Sequence, residues 1–121
     1  MDAYAPLTKP AVKVEQRGDA LCVVVSGDWT VNTCDDGEAA FLPVTIDKSV
    51  RVYFDLSRVN AVDSAGAWII HRERARMEFA GRKVALRMAN ARLAFLLTAI
   101  ERHIPARLDR PRRTCAVLRG L

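Results

Sequence analysis

Short strand-like runs alternate with helix-length segments along most of this 121-residue chain. Residues 20–25 are all apolar and end in three β-branched valines, while residues 50–56 and 83–88 place apolar side chains at every second position. These lengths and residue types are typical of β-strands. Between and after them, Ser64–Phe79 and residues 92–104 have helical length, and the second repeats its leucines and isoleucines at helical spacing. The alternation predicts strands of one sheet with helices packed on it.

The N-terminal third adds a hairpin and a helix to this pattern. Residues 12–15 alternate as a half-buried strand, and a turn at Gly18 joins them to the run at 20–25. Residues 26–28 are polar and glycine-containing, which predicts the end of that strand. A helix is predicted from about Thr33 to Leu42, closed by proline, and residues 57–62 are predicted to be a short connection.

The predicted element order is therefore β-β-α-β-α-β-α. It indicates an α/β fold with a four- or five-stranded, mixed and mostly parallel sheet. We divide the chain into an N-terminal leader at 1–11, a domain at 12–104 and a basic tail or linker at 105–121 that contains proline and arginine.

Charge and motifs exclude several classes of function. The net charge is +5, but the excess lies mostly in the arginines after residue 101, which argues against a nucleic-acid partner. The three cysteines are widely spaced and odd in number, which is typical of reduced thiols in the cytoplasm. A signal peptide or an apolar segment of about 18 residues is not expected. We find no phosphate loop, nucleophile elbow or metal-ligand spacing, so no catalytic residue, metal or cofactor is predicted; an enzyme with an unrecognised site is the rival hypothesis.

The most informative stretch runs from Tyr53 to Gly66: a strand, a loop, and then Asp63-Ser64-Ala65-Gly66 at a helix start. Backbone N–H groups in the first turn of a helix lack intrahelical partners, and the dipole makes this end partly positive. A hydroxyl at Ser64 would therefore stand where an anion is tolerated, including a phosphate on the serine itself. The alternative is that Asp63 or Ser64 only caps the helix.

Phe54-Asp55-Leu56-Ser57 followed by Val62-Asp63-Ser64-Ala65-Gly66 resembles the signature block of STAS domains. That family includes anti-sigma factor antagonists, cytosolic tails of anion transporters and components of lipid-trafficking ABC transporters. The resemblance covers about residues 12–104. It implies a non-catalytic regulatory module that docks on another protein, and it places the family's phosphorylatable residue on Ser64.

Two features choose within the family. The turn Ser26-Gly27-Asp28-Trp29-Thr30 resembles that of STAS domains associated with lipid-trafficking, Mla-type permeases, and Ala65 stands where the antagonists have a second serine. The resemblance thus implies, as partners, the ATPase subunit and membrane permease of an ABC system. The alternative is an anti-sigma factor kinase that phosphorylates Ser64.

The implied docking surface is the helix start and the exposed face of its helix. Its expected residues are Asp63, Ser64, Ala65, Gly66, Trp68, His71 and Arg72. Trp68 is expected either to anchor a partner or to pack on the sheet. The arginine-rich tail is either a contact with anionic lipid at the inner face of the membrane or a solvated basic segment.

Overall fold

The structure is a computed structural model that describes residues 8–44, 51–87 and 90–103. In those ranges, seven elements follow one another in the predicted order. The strands are β1 (Ala11–Arg17), β2 (Ala20–Trp29), β3 (Arg51–Val62) and β4 (Lys83–Arg87); the helices are α1 (Cys34–Phe41), α2 (Ser64–Phe79) and α3 (Ala91–His103). The α/β class and the helix at Ser64–Phe79 are confirmed.

The described strands form one sheet in the order β1-β2-β3-β4. β1 and β2 are an antiparallel hairpin, and its turn uses Gly18 at a φ of 63°, a left-handed conformation that favours glycine. β2 pairs with β3, and β3 with β4, in parallel. The predicted mixed and mostly parallel sheet is confirmed, with four strands in the described part of the chain.

Two strands are longer than the sequence predicted. β2 does not end at residues 26–28, and residues 57–62 are the second half of β3 rather than a connection. The ladder resumes after a register shift with Ser26 opposite Arg58 and Gly27 opposite Val59, and a second shift precedes the pair of Trp29 with Val62. Because of this irregularity, this part of the strand lacks the strict alternation of apolar and polar residues that indicates a strand in a sequence.

All described helices pack on the same face of the sheet. The core joins side chains of β2 and β3, such as Val23 and Phe54, to Phe41 of α1, Ile70 of α2 and Leu93 of α3. α3 begins where the Asn90 side chain accepts a hydrogen bond from the Leu93 amide at 3.0 Å and so caps the helix.

Some predictions fall outside the described residues. They concern most of the leader, Val50, Met88, Ile104 and the tail at 105–121. Among the helices that are described, none is both long enough and apolar enough to cross a membrane.

Candidate functional site

Asp63 fixes the junction between β3 and α2. Its Oδ1 accepts a hydrogen bond from the Gly66 amide at 3.1 Å, and its Oδ2 accepts one from the Val31 amide at 2.9 Å. Its own amide donates to the carbonyl oxygen of Trp29 at 3.2 Å. Asp63 is therefore the N-cap of α2 and also attaches that helix to the loop that follows β2.

Gly66 allows the helix to approach β2. A Cβ atom at this position would overlap the backbone carbonyl of Trp29, so every other residue type would force the two elements apart. The next residue, Ala67, is completely buried. The small residues of Asp63-Ser64-Ala65-Gly66 are thus explained in part by close packing, which needs no ligand.

Ser64 is exposed and does not cap the helix. The sequence left open whether Asp63 or Ser64 caps the helix. The structure places Asp63 at the N-cap position. Within the described residues, the Ser64 hydroxyl makes no hydrogen bond, and Ala65 beside it is half-exposed. Val31, tethered to Asp63, is 62% exposed at the same junction. A free hydroxyl and an apolar side chain therefore lie together on the surface.

Asp28, which the sequence pattern assigns to a turn, is a structural residue of this site. It is 3% exposed, and its carboxylate accepts hydrogen bonds from the Thr8 amide (2.6 Å), the Ala61 amide (3.1 Å) and the Asn60 side chain (3.1 Å). Burial raises the pKa of Asp28, but these hydrogen bonds to the charged form lower that pKa further, so it ends below its ordinary value.

The carboxylate of Asp28 therefore joins the chain before β1 to the second half of β3. Its carbonyl oxygen also accepts a hydrogen bond from the Thr33 hydroxyl at 2.7 Å, just before α1. In the sequence, the only signal for Asp28 is its position three residues after the end of the apolar run at 20–25.

Two residues assigned to the exposed face of α2 are buried. His71 is 4% exposed and Arg72 is 9% exposed, so their expected place on an open docking face is wrong, and Gly66 is buried as well. The reason is that α2 lies between the other two helices: Arg72 contacts Glu38 of α1 at 3.3 Å, and Arg74 pairs with Glu101 of α3. Trp68 is half-buried, and its ring centroid lies 5.8 Å from that of His71.

His71 is held as a neutral imidazole. Burial lowers its pKa, the nearby Arg74 charge lowers it further, and Glu101 opposes both only in part. Arg74 Nη2 lies 3.2 Å from His71 Nδ1, which makes Nδ1 the acceptor and places the imidazole proton on Nε2. His71 therefore lies beside Arg74, whose ion pair with Glu101 joins α2 to α3.

Asp63 and Ser64 are neighbours at the start of α2, but within the described residues their side chains are not hydrogen-bonded to each other. The two carboxylate oxygens of Asp63 accept hydrogen bonds from the Gly66 and Val31 amides instead. Among the described residues, no group of three potential metal ligands comes together.

The comparisons with known proteins concern the fold. An anti-sigma factor antagonist from Mycobacterium paratuberculosis, known from its crystal structure, superposes with a TM-score of 0.57 over 80% of this chain and 84% of its own, at 22% sequence identity. An uncharacterised DUF3478-family protein with a SpoIIAA-like fold, from Shewanella loihica PV-4, aligns over 84% of both chains with a TM-score of 0.43 and 13% identity.

No protein-family model and no curated protein sequence matches this chain. The chain thus has the α/β fold of anti-sigma factor antagonists, the STAS fold that the signature block implied.

Proposed function

We propose that this chain is a non-catalytic regulatory module of the cytoplasm that docks on a partner protein through the start of α2. The observation that carries the proposal is that the neighbouring residues Asp63 and Ser64 have different roles. Asp63 caps the helix, whereas Ser64 presents a hydroxyl that the described fold does not use. The half-exposed Ala65 and the exposed Val31 extend this surface around the serine.

The partner favoured by this geometry is an anti-sigma factor with kinase activity, and Ser64 is the residue that it would phosphorylate. A phosphate adds about 1.5 to 2 negative charges at neutral pH, and a helix N-terminus accommodates them. The Asp63 carboxylate would keep its hydrogen bonds to Gly66 and Val31, so the new charge would alter the surface and leave the cap in place. The likeness in fold to an anti-sigma factor antagonist supports this choice.

Docking on the ATPase subunit of a lipid-transport ABC system, beside its permease, is the second candidate. It depends on the turn at residues 26–30, and the described structure gives that turn an internal role. Trp29 is completely buried, and its indole Nε1 donates a hydrogen bond to the Ser26 carbonyl at 2.8 Å. Its own carbonyl oxygen accepts a hydrogen bond from the Asp63 amide. Packing accounts for the turn without a transporter, so this candidate ranks second.

The test is capture of partners from cytosol of the source organism on four immobilised baits. The baits are the wild type, Ser64→Ala, Ser64→Asp and a control, Thr98→Asp, which adds the same charge at an exposed position of α3. We expect a protein kinase that the wild type, Ser64→Ala and Thr98→Asp retain, and that Ser64→Asp retains about tenfold less.

Added ATP and Mg²⁺ should then place a phosphate on Ser64 of the wild type, seen by mass spectrometry, and none on Ser64→Ala. Capture of an ABC ATPase without phosphorylation would favour the second candidate. Identical capture by all four baits would contradict docking at Ser64 altogether.

A further inference from the structure

The sheet has one face that the described helices do not cover, here called the open face. Side chains alternate between the two faces of a strand, so the register of the four strands identifies its members. They are Lys13, Glu15, Arg17, Ala20, Cys22, Val24, Arg51, Tyr53, Asp55, Lys83, Ala85 and Arg87.

Positive charge dominates the open face. Its members include five lysine or arginine residues and two carboxylates. Arg58, beyond the register shift in β3, adds a sixth cation, since its charge acts on both Glu15 and Asp55. This excess belongs to the folded sheet and is separate from the arginines of the tail.

The two carboxylates are already engaged. Glu15 pairs with Arg17 at 2.7 Å. Asp55 accepts hydrogen bonds from the Ser57 hydroxyl at 2.6 Å and the Ser57 amide at 3.1 Å, and these bonds lower its pKa. Among the described residues, Arg58 and Arg87 have neither an ion pair nor a hydrogen bond from their side chains. Both cations therefore remain available to an external anion.

A cavity of about 240 Å³ opens in the middle of this face. Two small buried residues of β2, Ala20 and Cys22, lie among larger side chains, so the surface dips there. The larger residues that line it are Arg17, Tyr53, Asp55 and Arg87. This volume lies below the roughly 300–1,000 Å³ of a typical small-molecule site and suits one inserted side chain.

We infer that the open face is a second docking surface, which binds an acidic segment of a partner protein and takes one of its carboxylate side chains into the cavity beside Arg17 and Arg87. The cations extend from β1 to β4, which is about 14 Å across three strand spacings. Such a spread matches carboxylates distributed along a peptide better than a single phosphate group. Arginine and tyrosine are also enriched at the energetically important positions of protein interfaces.

The chain's own C-terminal segment does not have the complementary charge. Residues 105–121 contain five arginines and a single acidic residue, Asp109, so they would be repelled by the open face. Residues 105–121 therefore do not supply the acidic segment, and we assign it to a partner protein. Since the open face is the side of the sheet away from α2, this inference is independent of docking at Ser64.

The test uses a blocked six-residue peptide of alternating glutamate and alanine as the probe, titrated into the ¹⁵N-labelled protein at low salt. We expect saturable shifts of the Cys22, Tyr53 and Arg87 amides. The double variant Arg58→Glu/Arg87→Glu should bind the peptide about tenfold more weakly. The control, Arg92→Glu/Arg102→Glu, has the same net charge but changes exposed cations of α3, on the other side of the sheet, and it should lose less than about twofold.

Three results would overturn the inference. One is the absence of saturable shifts at these amides. Another is an equal loss of affinity in the two double variants, which would show a response to net charge alone. The third is tighter binding at the same amides by inorganic phosphate, by a thymidine oligonucleotide or by vesicles of phosphatidylserine, which would assign the surface to a small anion, a nucleic acid or a membrane. Amide spectra and thermal midpoints of both variants verify that each is folded.

Discussion

Gly66 lies so close to the carbonyl group of Trp29 that a Cβ atom at position 66 would overlap the carbonyl oxygen. The same oxygen accepts a hydrogen bond from the Asp63 amide at 3.2 Å. The Trp29 carbonyl, at the end of β2, thus fixes how closely the first turn of α2 approaches that strand. Ser64 lies in the same turn and is exposed.

Gly66→Ala should therefore destabilise the domain by about 3 kcal/mol, since neither backbone can retreat without breaking hydrogen bonds. Urea unfolding followed by circular dichroism measures the change. Ser64→Ala, in the same turn but exposed, is the matched control and should stay within about 0.5 kcal/mol of the wild type. An equally stable Gly66→Ala would mean that the contact with Trp29 is looser than described.

Substitutions at Asp63 and at Ser64 show which of the two residues stabilises the start of α2. Asp63→Ala should lower the free energy of unfolding by about 1–2 kcal/mol, because the Gly66 and Val31 amides lose their acceptors. Asp63→Asn keeps one oxygen and should lose less. A larger loss in Ser64→Ala than in Asp63→Ala would show that the serine is the cap.

Because folding lowers the pKa of Asp28, the free energy of unfolding should decrease in acid. Its pKa is lowered in the folded state, so its contribution is complete above the unfolded value of about 3.9 and is lost as the pH falls through the folded pKa. At neutral pH, Asp28→Asn should cost about 1–3 kcal/mol, because an amide group would face the Thr8 N–H.

The difference between the wild type and Asp28→Asn should shrink below about pH 4. Unfolding in urea across a pH series measures it. A difference that stays constant into strong acid would show that the carboxylate of Asp28 carries no special stabilisation.

Because folding lowers the pKa of His71, we expect a second loss of stability at a pH closer to neutral. Burial lowers its pKa in the folded state, Arg74 adds to this and Glu101 opposes it, so the unfolded chain takes up a proton first. Stability should therefore fall as the pH drops from about 7 to 5. His71→Gln should flatten this slope, whereas His103→Gln, at an exposed position of α3, should keep it. The same slope in all three proteins would contradict a buried neutral imidazole.

The parts of the fold that sequence predicts well are those where apolar spacing is regular. The first half of β3 alternates strictly, with Val52, Phe54 and Leu56 in the core, and the amphipathic repeat around Leu93 and Leu97 predicts α3. Prediction fails where pairing depends on irregular backbone. In the second half of β3, Val59 and Val62 are buried three residues apart, which has neither strand spacing nor an apolar run.

The candidate site divides in the same way. Local chemistry predicts a helix start at Asp63-Ser64, but the choice of Asp63 as cap depends on geometry that the two residue types share. The burial of His71 and Arg72 depends on the flanking helices, since Glu101, whose charge acts on His71, and Glu38, which pairs with Arg72, are 30 or more residues away in sequence. Polar residues on a helix predict exposure only when nothing packs against them.

The most direct test of docking at Ser64 is the affinity of the captured partner for the wild type, Ser64→Ala, Ser64→Asp and Thr98→Asp, measured by calorimetry beside their unfolding curves. We expect all four proteins to unfold within about 0.5 kcal/mol of one another. Ser64→Asp should bind about tenfold more weakly, because the added charge must be desolvated without a counter-ion, while Ser64→Ala and Thr98→Asp should stay within about twofold. Equal affinity for all four would contradict the account and leave Ser64 an ordinary surface residue.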